Sequence, residues 1–282
     1  VPDHRRSPWT PLAPLATLIL VTAVTGCSSP PTNNPDPDDI DQGIRTFDFR
    51  NTLWLDYSTL SGTPILLNLK LKNGRFEGKI DSPSRQNETL KYEIFGSPAF
   101  ADVDDDGDED AALALQSADQ GMQLSWYMWV WQDGSAQQLH YPFYRHSRCD
   151  AAQTEVHPAE SGFQVSTSLK SQKDTCAAPP MKKLQYFVSA RNGYPIRIHP
   201  APSAPDRDCF SEDMQKAVIR NPIAAKVAPE EAAPEIGEPE VYGRVEVSVT
   251  HEEFLLARLT TDERTVCGWV RRSAFGNQAL EE

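Results

Sequence analysis

The chain has 282 residues, with 40 acidic against 27 basic side chains and a formal net charge of −13. So acidic a surface excludes nucleic acid as a partner and disfavours direct adhesion to anionic lipid headgroups. No segment supplies the ~20 consecutive apolar residues that a membrane-spanning helix needs.

Residues 1–26 predict an export signal. Arg5 and Arg6 make a short basic start, Leu12 to Val24 is uncharged, and Pro11 and Pro14 weaken any long helix. The segment closes on Val24-Thr25-Gly26-Cys27, which resembles the lipobox of bacterial lipoproteins. The resemblance implies cleavage before Cys27, a diacylglycerol on its sulfur, and an extracytoplasmic protein whose membrane contact is this lipid anchor. Two acyl chains hold a domain firmly, at ~0.8 kcal/mol per buried CH2. Val1, read as a GTG start, would be unremarkable in an actinobacterium. Residues 27–42, rich in Ser, Pro, Asn and Asp, predict a flexible tether that buries too little to fold.

From residue 43 to 193 the pattern is a mainly β, antiparallel domain. Thr46 to Phe49 alternates toward Trp54. Ile65–Leu71, Asn73-Gly74 and Arg75–Ile80 predict a hairpin with a type I′ turn. Leu90–Phe95 and Ala111–Leu115 follow as strands. Leu124–Trp131 is large on both faces, which predicts a strand covered on both sides. Trp126, Trp129 and Trp131 sit inside that pattern, so core packing explains them better than sugar binding. Asp133-Gly134 turns the chain back toward Gln138–Phe143, and Phe163–Leu169 and Leu184–Ala190 complete the domain.

Residues 194–282 form a second candidate unit. Pro195–Pro202 predicts a strand ending in a proline-rich turn. Phe210–Ile219 predicts a short helix capped by Ser211, and Val227–Glu240 a mobile loop, so that 210–240 is an insertion. Val245–Val249, Glu253–Leu259 and Cys267–Arg272 predict strands. The layout, with Gly268-Trp269-Val270, resembles a bacterial SH3-like β barrel, some of which bind cell-wall peptides. Packing explains Trp269 more economically than a ligand does.

Besides Cys27 there are four cysteines: Cys149, Cys176, Cys209 and Cys267. In an oxidising compartment they predict two disulfides, and three pairings are open. Cys149–Cys176 with Cys209–Cys267 is preferred, because each bond then closes within one candidate domain. The lack of a CxxC pair argues against zinc.

The sharpest local signal is Asp102-Val-Asp104-Asp105-Asp106-Gly107-Asp108-Glu109-Asp110. Carboxylates at alternate positions of a tight loop point at one centre, and Ca2+ takes six to eight such oxygens. Asp102, Asp104, Asp106 and Asp110 are the expected ligands, with the Asp108 carbonyl. Gly107 permits the turn, and Asp105 and Glu109 face solvent. Leu113 stands where an EF-hand needs glutamate, so a strand-loop-strand site is expected, similar to a single FG-GAP repeat. Residues 95–145 also resemble the central motif of LppP/LprE-type lipoproteins of mycobacteria and relatives, which implies a cell-envelope protein.

No nucleophile elbow, zincin helix, phosphate loop or dinucleotide fingerprint occurs. His140, His146, His157 and His199 are scattered, and acidic residues are too abundant for any one pair to be informative. The sequence therefore predicts a tethered, noncatalytic binding or structural module of the envelope, with a cell-wall component or envelope protein as partner. The alternative is a secreted hydrolase or glycan-processing enzyme assembled from distant residues.

Overall fold

Alternation along two central strands sets the architecture. The computed structural model describes residues 41–60, 63–79, 89–117, 122–147, 151–170, 175, 177, 182–210, 214–219, 221–250 and 253–275, all within the unit Pro35–Glu282. The signal segment, Cys27 and the Cys149–Cys176 pair lie outside these residues. The protein is mainly β, its sheets are antiparallel, and one sheet curls into a half-barrel.

The first strands are β1 (Leu53–Leu60), β2 (Thr63–Lys70), β3 (Arg75–Lys79), β4 (Thr89–Ala101), β5 (Asp110–Ser117), β6 (Leu124–Gln132), β7 (Ser135–Gln138) and β8 (Tyr144–His146). Strands β1 and β2 form a two-stranded ribbon. Strands β3 to β7 pair in sequence order, with β8 adding to the other end of β6. A second sheet runs β12-β11-β10-β9, from β9 (Ala151–Ala159), β10 (Gly162–Leu169), β11 (Lys182–Arg191) and β12 (Tyr194–His199).

Strands β5 and β6 are apolar throughout because both faces are covered. Ala111, Leu113, Leu115, Tyr127 and Trp129 pack with Trp54, Leu67 and Leu69 of the ribbon. Ala112, Ala114, Trp126, Met128 and Val130 pack with Phe163, Val165, Tyr186 and Val188 of the four-stranded sheet. Trp126 and Trp129 are therefore core residues. The buried Asp56 ties the layers together: it accepts hydrogen bonds from the hydroxyls of Tyr127 (2.6 Å) and Tyr92 (3.0 Å), with Arg145 alongside at 3.6 Å.

Several expectations need correction. Residues 43–46 and 49–51 form short 3-10 turns rather than a strand; the Asp48 carboxylate accepts from Arg50 N and caps the second. Asn73 and Gly74 do make a turn with positive φ, 53° and 79°, but only the Lys72–Arg75 bridge closes it. The flanking strands then part, β2 to β1 and β3 to β4, because each finds a longer partner.

The C-terminal sheet has the order β13-β16-β17-β18-β14-β15, from β13 (Gln215–Ala217), β14 (Ile223–Lys226), β15 (Glu235–Glu240), β16 (Arg244–Thr250), β17 (Phe254–Thr260) and β18 (Thr265–Arg271). The stretch read as a helix holds β13, the stretch read as a mobile loop holds β15, and β14 lies between them. A 3-10 turn, Arg207–Phe210, stands where the helix was expected to begin, and Ser211 lies outside the described residues. Residues 227–234 are held by Val227 N to Pro234 O (3.1 Å) and Ala233 N to Glu230 O (3.3 Å). Ala225, Val227, Ala228, Ala233 and Ile236 are buried, so small side chains that read as loop composition serve close packing. Strand β12 hydrogen-bonds to β11, while its Ile196 packs into the C-terminal core. The Cys209–Cys267 disulfide joins the 3-10 turn to β18 and encloses a 58-residue separation. Trp269 is buried in the same core.

Candidate metal centre

The acidic segment is the β4–β5 connection. Ala101 pairs with Asp110 at its base, so residues 102–109 project from the end of a hairpin. Asp105 is exposed with φ 61°, and Gly107 has φ 92°. Two left-handed residues bend the loop back on itself, and glycine adopts that geometry at least cost.

Side-chain-to-backbone bonds hold the curl. Asp102 accepts from the amides of Asp105 (2.8 Å) and Gly107 (3.1 Å), and Asp106 accepts from Asp108 N (2.9 Å). Oxygens of Asp102, Asp104 and Asp106 lie within 4.8 Å of one another, with Asp102 half-buried and the other two exposed. Two oxygens on opposite sides of Ca2+ stand ~4.6–5.2 Å apart at its usual bond lengths. The three carboxylates therefore fit a hard cation of that size. The Asp104 carboxyl sits above the ordinary carboxylate range, chiefly through burial and then through the charges of Asp106 and Asp102. Asp108 is raised for like reasons, burial first and then Asp106 and Asp41. A divalent ion would relieve both repulsions.

Asp110 does not join this group. It is fully buried, and its two oxygens accept from Val103 N (2.9 Å) and Trp131 N (2.8 Å). Burial pushes its carboxyl up to about 7 despite those two amides. Its position is set by strand parity, since residues 110, 112 and 114 share one face and Ala112 and Ala114 pack inward. Asp110 latches the base of the loop instead of completing an ion's shell.

Glu109 also departs from expectation. Arg45 grips it through Nε (2.5 Å) and Nη2 (2.8 Å) while its guanidinium lies 4.7 Å from the Phe100 ring centroid. Asp41, which composition places in the tether, receives Glu109 N at its carbonyl (3.0 Å), and its carboxylate accepts from Gly43 N (2.7 Å) and Trp131 Nε1 (3.0 Å). No periodic signal marks Asp41 or Arg45; both act through a few long-range contacts.

The remaining sequence candidates are dispersed. His157 stands 3.5 Å from Glu155, His199 packs edge-on to Phe187, and His146 bonds the Ser147 carbonyl through Nδ1. Among the described residues the group whose ligand atoms lie close enough to hold a metal ion is Asp102, Asp104 and Asp106. No protein-family model matches this chain, and neither a curated protein nor a solved structure shows significant similarity to it.

Proposed function

We propose that the protein is an exported, lipid-anchored, noncatalytic module of the cell envelope whose β4–β5 loop binds Ca2+. Asp102, Asp104 and Asp106 hold the ion, and Asp108 contributes its carbonyl. The ion's role is structural: it draws together a loop whose carboxylates otherwise repel one another. The observation that carries this reading is the convergence of three carboxylates in the β4–β5 loop, whose Glu109 amide bonds the Asp41 carbonyl. An ion there stiffens the junction between tether and domain, and so governs how the domain is presented above the membrane. Cys27 is the acylated residue. A cell-wall component or envelope protein is the partner, in keeping with the lipoprotein family that residues 95–145 resemble.

The anchor and the ion are tested separately. Intact mass of the membrane-extracted protein should begin at Cys27 and carry lipid, and Cys27→Ser should move the protein to the soluble fraction. Retention of that variant in the envelope would refute the anchor. Chelation of Ca2+ should lower the melting temperature of the soluble variant; an unchanged melt would refute the structural role.

A further inference from the structure

Among the described residues no carboxylate pairs with the guanidinium of Arg197, which packs on Phe210 of the C-terminal 3-10 turn. Arg197 on β12 is 5% exposed. Nε and Nη1 are buried and unbonded. Tyr186 on β11 is fully buried, and its hydroxyl is likewise unbonded. Arg197 lies opposite Val188, two residues from Tyr186, so the two side chains issue from the same face of the sheet.

Phe210 brings them together from the other side. The Arg197 guanidinium lies 4.7 Å from its ring centroid, and the Tyr186 ring is 6.0 Å from it. The ring covers one face of the guanidinium and leaves its N–H groups, which lie in plane, to seek acceptors. Burial lowers Arg197 to about 10, so it stays charged at neutral pH. A buried cation with nothing opposite costs several kcal/mol, and cation–π contact recovers only part of that. Two unpaired donors, a guanidinium and a phenol, meet in a protein whose overall charge is negative. They want an acceptor.

We propose that Arg197 and Tyr186 bind a small monovalent anion, either a halide or a carboxylate group. The anion joins the four-stranded sheet to the 3-10 turn that carries Phe210 and the Cys209–Cys267 disulfide. It accepts in-plane N–H bonds from Arg197 and the O–H of Tyr186. The site is separate from the acidic loop and owes nothing to Ca2+.

The test is thermal melting of the intact chain at fixed ionic strength, with chloride or acetate replacing the bulkier gluconate. A saturable rise of several degrees is expected with the fitting anion. Chloride alone acting identifies a halide site; acetate alone identifies a site for a ligand's carboxylate. Arg197→Met should abolish the dependence while remaining as stable as the parent in gluconate, because it removes the buried charge at similar volume. Should that variant not fold, line broadening of 35Cl resonance by the unmodified protein, relieved by acetate, provides the same reading. No anion dependence and no broadening would overturn the proposal.

Discussion

Arg45 and Glu109 are 64 residues apart in the chain and meet through two hydrogen bonds, so the 3-10 turn at residues 43–46 is fastened to the returning limb of the acidic loop, next to its base. Asp41 adds a backbone bond to the same glutamate. Residues 41–45 and the acidic loop are therefore linked, and order in one supports order in the other.

Arg45→Met should loosen this attachment locally. The pair is exposed on the arginine side, where ion pairs contribute little to global stability. The expected result is faster hydrogen exchange at the Glu109 amide with an almost unchanged melting temperature. Unchanged exchange at Glu109 would show that the strap does not constrain the loop.

Asp110→Asn should destabilise the fold by about 1–3 kcal/mol in urea unfolding, because one of two buried amides then faces an NH2 group instead of an acceptor. Calcium affinity should fall with it, through loss of loop position. A stability equal to the parent's would contradict the latch role.

The central strands were legible because β5 and β6 carry apolar residues on both faces, a pattern that only a doubly covered strand requires. Asp110 was misassigned as a ligand because a motif counts carboxylates, whereas strand parity decides where each points. The segment 223–240 failed for a different reason. Alanine, proline and glutamate look like solvated loop, yet Ala225 and Ile236 fit against Gly268, a match visible only when β14 crosses β18. The strand β9 was missed because Thr154-Glu155-Val156-His157-Pro158 lacks bulky alternation and pairs along one side of β10. Arg45 and Asp41 act through a few contacts distant in sequence, which leave no periodic trace.

Gly268→Ala should cost about 1–3 kcal/mol, through overpacking. A Cβ there would lie 2.7 Å from both Ala225 Cβ and Ile236 Cδ1, and 2.9 Å from the Lys226 carbonyl. The shift is read from the urea midpoint, and a neutral result would mean that β14 yields freely.

Replacing Cys209 and Cys267 with alanine should remove about 4 kcal/mol, the chain-entropy value for a loop enclosing a 58-residue separation. The C-terminal sheet should then lose exchange protection before the strands around Trp129. Simultaneous loss in both regions would instead indicate one cooperative unit.

Calorimetric titration of Ca2+ into the soluble Cys27→Ser chain, beside the same chain carrying Asp102→Asn and Asp104→Asn, bears most directly on the proposed role. The account predicts one saturable site with Kd on the order of 0.1–1 mM, absent from the doubly substituted chain. Heat no greater than dilution, or equal binding by both proteins, would contradict it.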